Sequence, residues 1–458
     1  MNLLLCWAMV VVTCGLEAQT PTAKPPSESE LEAISARGRA LAEYDAAAWH
    51  ATDAVLALKP AEGDFEGFIG RRTDAGWTVM FGRFNQAKTL YLITYEAQQG
   101  STPTEFKAIR HEPPQENSDF YLRAAKAEDL VGPEFIRDIK PERRYNLAIL
   151  PTSGGEWYVY ALPAQTDFSV LPYGGDIRYK ISADGTSIIE KRQMHQAVNE
   201  DHLSEKPQFA FHTHVLSDTP EDSDVFYALT RKASQGEWIA TGKFIYEINP
   251  DSALHYLGET DKIAKSLEQG KFEKAPGPFR PMMLASLRRL LAGQGPASPL
   301  EAFTTLNGTR CHEKTIWLKF SYVLRNTTDT TIILYSNPLQ NSGARFAATK
   351  ADILAGKFES LLFFAMENID LTPDSSFMAL GPGMTYEREQ EYPIKGLDLK
   401  GKAAVQFLFF TWPLGHEKET DTQRARWAKL GTLYTEKVAS EPAELVIDPK
   451  VLKSCGQK

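Results

Sequence analysis

The chain changes its hydrophobic rhythm several times, and the changes mark its parts. Leu41, Tyr44, Ala48, Ala51, Val55 and Leu58 step by three and four, which puts them on one stripe of a helix. Ser27 and Glu30 have capping-box spacing at one end and Pro60 stops the pattern at the other, so a single long helix is predicted between them. Asp45, Trp49, His50 and Asp53 then read as the polar edge of a half-buried helix. From 64 to 110 the runs FEGFIGRRT, GWTVMFGRF and TLYLITYEA are rich in β-branched and aromatic residues and broken by turn residues, which predicts an antiparallel meander. Residues 117–130 read as helix, and NLAILPT, EWYVYALPA, DIRYKISADG and SIIEKRQMHQA as four further strands, the last two joined by an Ala183-Asp184-Gly185 turn.

After Glu273 the chain turns Pro-rich, gives one short helix (MMLASLRRLLAG) and then a Gly/Pro/Ser linker. Beyond it come strand patterns: TIWLKFSYVLRN, TIILYSN, FMALGPGMTYEREQEYPI, AAVQFLFFTWP and AELVIDP, with one helix expected in the insertion KADILAGKFESLLFFAM. Glu387, Glu389 and Glu391 share one face of their strand, which must meet water. The predicted organisation is an α+β domain over 27–271 (the long helix plus mostly antiparallel sheet), a helix and linker over 272–299, and an all-β domain over 300–458.

The first residues add an address. An apolar run from Leu3 to Val12, then small residues with Ala18 before Gln19, is the layout of a secretory signal over 1–18, followed by a tether over 19–26. Cys14 offers the alternative of a lipoprotein signal, and an uncleaved anchor is a third reading. The expected location is exported, periplasmic or extracellular, with no transmembrane segment after cleavage. Removing 1–18 leaves 50 basic against 58 acidic residues and no basic block, a poor surface for nucleic acid. Cys311 and Cys455 then remain as a pair, either disulfide-bonded or as two buried thiols. Asn307 and Asn326 begin glycosylation sequons, which carry meaning only in a eukaryotic source.

One segment carries candidate chemistry. In QFAFHTHV, His212 and His214 point the same way from a strand and can grip one divalent metal. Thr219-Pro220-Glu221-Asp222 then reads as a helix start, with Thr219 as N-cap and Asp222 in the first turn. A third ligand is expected at Asp222, with Asp224 left out, and His195, His202 and His312 are read as strand-end, loop or disulfide-flanking residues.

This order resembles the JAMM/MPN-type metallopeptidases, over about 208–255. That family carries His-x-His, a spacer, Ser-x-x-Asp and an upstream Glu. The resemblance implies zinc on His212, His214 and Asp222, Thr219 in the place of the oxyanion-stabilising Ser, and Glu156 as the best-placed base. The spacer of four residues is shorter than the family's. The strand spacing and Gly-Pro-Gly turn of about 300–450 resemble bacterial immunoglobulin-like β-sandwich modules, which implies a fold and no ligand. Two functions follow from different classes: an envelope or secreted binding protein with an unknown extracellular partner or ligand, or a zinc-dependent peptidase or amide hydrolase.

Overall fold

The computed structural model describes residues 24–456, apart from 142, 168–169, 203–208, 233–235, 273, 275–276, 296–297, 329, 336–340, 365–370, 395–401 and 413–416. The expected signal over 1–18 and most of the tether lie outside the described residues.

Helix α1 (Glu28–Leu56) begins at the capping box: Glu30 N donates to Ser27 Oγ at 3.3 Å and Ser27 N to Glu30 Oε2 at 2.8 Å. Its buried stripe includes Leu41, Tyr44, Ala48, Ala51 and Val55. The meander follows as Gly67–Thr73, Gly76–Phe84, Tyr91–Gln99 and Phe106–Asn117, each strand antiparallel to the one before. Helix α2 (Phe120–Ile139) runs past the expected end at 130, through Pro133, because Val131 and Phe135 on its last turns are buried in the core. A second antiparallel sheet takes Tyr145–Pro151, Trp157–Pro163, Ile177–Ile181 and Ile188–Gln193 in that order. One apolar core joins both sheets and both helices around Tyr44, Phe81, Tyr95, Tyr160 and Tyr179. Val170–Gly174 and Val198–His202 form a two-stranded ribbon that the sequence patterns did not predict.

The His-x-His segment is a strand, Ala210–Thr213, and it pairs in parallel with Glu237–Ala240. A parallel pair needs a crossover, and helix α3 (Asp222–Arg231) supplies it. Phe244–Ile248 and Leu254–Glu259 complete that sheet with antiparallel pairing. Helix α3 lies tight on α1 at Gly38, where an added Cβ would come within 2.5 Å of the Asp222 carbonyl oxygen and of Val225 Cβ. Helices α4 (Thr260–Glu268) and α5 (Arg280–Leu291) follow. Met283 and Leu287 of α5 are buried in one core with Phe209 and Trp238 before it and Phe303 and Val323 after it.

The rest is rich in strands. Leu300–His312, Thr315–Asn326 and Thr385–Ile394 form one antiparallel sheet. Asn341–Ala347, Glu359–Phe364, Lys402–Phe410, Lys437–Ala439 and Ala443–Val446 form another. Buried side chains from both sheets share a core in which Phe320 stacks on Phe407 at 4.1 Å and Tyr322 on Phe409 at 4.9 Å. The insertion carries the expected helix, Lys350–Leu354. On the acidic strand Glu389 meets Lys319 and Glu391 meets Arg310, each at 2.6 Å, so that face is charge-paired as well as wet. Cys311 and Cys455 form a disulfide across 144 residues, and a last helix, Pro449–Ser454, carries Cys455 back to the first strand of this half. Asn326 is fully buried and its amide donates to the carbonyls of Thr330, Leu380 and Gly381, so no glycan can sit there. Among the described residues, no helix is long and apolar enough to cross a membrane.

Candidate metal centre

The parallel strand puts His212 and His214 on one side, as alternation requires, and their Nε2 atoms lie 3.1 Å apart. The third group beside them is Asp224. Its Oδ1 stands 3.1 Å from His212 Nε2 and 3.2 Å from His214 Nε2. A fourth comes from upstream, seventeen residues before His212. His195, just beyond Ile188–Gln193, brings Nε2 to 3.0 Å from His214 Nε2 and 2.9 Å from Asp224 Oδ1. The four donor atoms lie within 4.8 Å of one another.

Each donor is aimed by a second contact. The Nδ1 of His195 faces Asp176 Oδ1 at 2.7 Å, that of His212 faces Glu237 Oε1 at 2.8 Å, and that of His214 faces the Thr219 carbonyl at 3.2 Å. All three partners accept, so each ring carries its proton on Nδ1 when neutral and turns a bare Nε2 lone pair inward. Asp224 spends Oδ2 on the Glu221 N–H at 2.6 Å, which leaves Oδ1 for the cluster. Glu237 is held in turn by an ion pair to Arg231, at the far end of α3. Asp224 and the side chain of His214 are almost wholly buried, and His195 and His212 keep only an edge exposed.

The field at the meeting point favours positive charge. Burial pushes His195 down, but Asp176 and Asp224 outweigh it and hold its pKa well above the ordinary value. His212 is likewise lowered by burial, then carried up to about 9 by Asp224 and Glu237. His214 is pushed down, by burial first and also by the two neighbouring imidazoles. Burial raises the Asp224 carboxyl, yet His214 and His195 beside it bring it well below the usual range.

The donor set suits a first-row divalent ion. Four donors around an ion at about 2.0–2.1 Å form a tetrahedron with edges of roughly 3.3 Å. Five of the donor separations run from 2.9 to 3.2 Å. Three imidazoles and one carboxylate suit zinc-like ions rather than calcium or magnesium, which take oxygen donors. The cluster opens on a pocket of about 180 Å³, lined by His195, His212 and Asp224 and by Tyr173, Asn199 and Tyr227. His214 forms the back of the cluster and does not line it.

Asp222, expected as the third ligand, turns the other way. Its Oδ1 takes Arg37 Nε at 2.9 Å, and its Oδ2 takes Tyr160 Oη at 2.9 Å and Arg178 Nη1 at 2.5 Å. The reason is the helix start. The N-cap is Glu221, so the first turn begins two residues later than Thr219 would have set it, and Asp224 occupies N3. Thr219 is present at the site through its carbonyl on His214, while its hydroxyl accepts from Arg192 Nη2 at 3.2 Å. Glu156 is remote from the pocket lining; it pairs with Lys180 at 2.9 Å and accepts from Thr152. His195 was missed because nothing in its spacing ties it to His-x-His. Its one signal was local density, with His202, His212 and His214 following within twenty residues.

No family model matches the chain, and no curated protein matches it. One matching solved structure is described as the X-ray structure of Northeast Structural Genomics Consortium target SoR45. It is 10% identical, covers 33% of this chain and 88% of its own, and superposes with a TM-score of 0.17, too low to carry an argument about fold or function.

Proposed function

We propose that this chain is a metal-binding protein that holds one zinc-class divalent ion on His195, His212, His214 and Asp224. The observation that carries the reading is the convergence of four correctly oriented donors, each with its own buried or backbone partner. Side chains that merely share a polar surface have no reason to turn three imidazole Nε2 atoms towards one carboxylate oxygen. The apolar N-terminal run and the Cys311–Cys455 disulfide support an exported protein, folded in an oxidising compartment. An immunoglobulin-like sandwich is the proposed architecture of the strand-rich half, supported by its two larger antiparallel sheets, which share one core with a small mixed sheet of Ile332–Tyr335, Phe377–Leu380 and Thr432–Leu433.

A second reading, metal-dependent hydrolysis of an amide or ester, is favoured by the pocket on which the cluster opens. A bound zinc-class ion would supply Lewis acidity there and, on expanding beyond its four protein donors, an acidified water. The residues of the chain would fix its position, with Asp176 and Glu237 aiming two of the imidazoles. The His-x-His strand and the acid of the next helix keep the JAMM-like order, with Asp224 in place of Asp222.

Metal analysis of protein purified without chelators tests the first reading. About one zinc-class ion per chain is expected, lost in Asp224→Asn and in His195→Ala. An ion content that ignores both substitutions would sink it.

A further inference from the structure

Helix α3 meets the cluster at both of its ends. Asp224 stands in its first turn and Arg231 is its last residue, seven positions later and so on the same face. Arg231 supplies no atom to the four-donor set. Its guanidinium is paired with Glu237 Oε2, and the other oxygen of that carboxylate, Oε1, faces His212 Nδ1 at 2.8 Å. Strand register explains why these groups meet. Glu237 lies opposite Ala210 in the parallel pair, and Ala210 shares its face with His212. Glu237 therefore rises on the histidine side of the sheet, where Arg231 reaches it.

Both members of the ion pair are buried, with side chains 5% and 3% exposed, and the guanidinium also lies 4.7 Å from the centre of the Tyr173 ring. A buried carboxylate held on one side only is left with uncompensated charge and turns towards other donors or water. Held on both sides, it has one orientation, and so has the imidazole it faces.

Arg231 has two opposing effects on a divalent ion, since it lines the same pocket as His212 and Asp224. As a cation it repels the ion, so its removal would tighten binding by charge alone. As the clamp on Glu237 it keeps the His212 ring aimed, so its removal would weaken binding. Glu237, in direct contact, already offsets the charge of Arg231, which leaves the clamp as the larger effect. We infer that Arg231 is a positioning residue of the metal centre, acting on His212 through Glu237, so that α3 sets the site from both of its ends. The inference rests on the metal reading above.

The test measures the zinc affinity of the full chain by competition with a chromogenic chelator. In Arg231→Met, which keeps the bulk and loses the charge, the zinc dissociation constant should rise about 10–100-fold. Arg231→Lys should recover most of that loss, because a cation again faces Glu237; a Lys variant as weak as the Met variant would count against the ion pair as the cause. Loaded with cobalt(II), Arg231→Met should hold one ion per chain with a shifted visible band, the mark of a turned ligand that lost stability alone would not give. Glu237→Gln removes the charge that Arg231 serves, so adding Arg231→Met to it should bring no further loss of affinity. That double variant removes both buried charges together and keeps the test open where Arg231→Met alone does not fold. Tighter or unchanged zinc binding in Arg231→Met, or a full further loss in the Glu237→Gln background, would overturn the inference and leave the metal reading intact. Failure of the unaltered chain to bind zinc would remove the metal reading, and this inference with it.

Discussion

Asp222 and Asp224 are separated by one serine and do opposite jobs. Both side chains are about 1% exposed, yet Asp222 is clamped between Arg37 and Arg178 while Asp224 faces three imidazoles. Two substitutions should therefore separate stability from metal content. Asp222→Asn leaves two guanidinium groups short of a buried counter-charge, and a loss of about 3 kcal/mol is expected in denaturant unfolding, with metal stoichiometry intact. Asp224→Asn should lose the ion; a variant that keeps it would show that the histidines suffice. At this scale the sequence was half legible. Alternation on a strand follows from backbone geometry, so His212 and His214 could be placed on one face from their spacing alone. Which acid joins them depends on the residue at which the helix starts. Glu221 displaced Thr219 as the cap because its carboxylate is held by Arg192, a partner far away in sequence. His195 depends on tertiary packing throughout.

At the scale of elements, the contact between α1 and α3 sets the position of Asp224, since both helices carry the ends of the Arg37–Asp222 pair. Gly38 makes that contact possible. In an exposed helix, Gly→Ala would stabilise by about 1 kcal/mol. Here the new methyl group would meet the Asp222 carbonyl and Val225 at 2.5 Å, and the sign should reverse. We expect Gly38→Ala to lower stability by about 1–3 kcal/mol, the range for overpacking. A rise in melting temperature would refute the close packing of the two helices. Helix α1, the meander and most strands of the second half were readable because each carries its own periodicity and turn residues. The ribbon of Val170–Gly174 and Val198–His202 was not, because its strands are short and each is defined only by the other. The end of α2 was missed for a similar reason: Pro133 argues locally for a stop, and burial of Phe135 outweighs it.

The whole molecule is less divided than its composition suggests. The Pro/Gly-rich stretch over 272–299 looks like a linker, but Met283 and Leu287 inside it share a core with Trp238 on one side and Phe303 and Val323 on the other. Proteolysis there should leave two fragments that still elute together in size-exclusion chromatography; separate elution would show that this core holds nothing together. The disulfide closes a ring of 144 residues, so Cys311→Ser with Cys455→Ser should cost roughly 5 kcal/mol by loop entropy, read as a lower denaturation midpoint. The same ring has a mechanical consequence. Cys311 and Cys455 sit 5.6 Å apart at their Cα atoms, so a force applied along the chain passes through the sulfur bridge and bypasses everything between. Pulled from outside the ring, the oxidised protein can pay out only residues that the ring does not enclose. Reduction would release the rest, a further length of about 50 nm at roughly 3.5 Å for each of 144 residues. The strand-rich half from Cys311 onward is thus a region that can be loaded under tension without being unravelled.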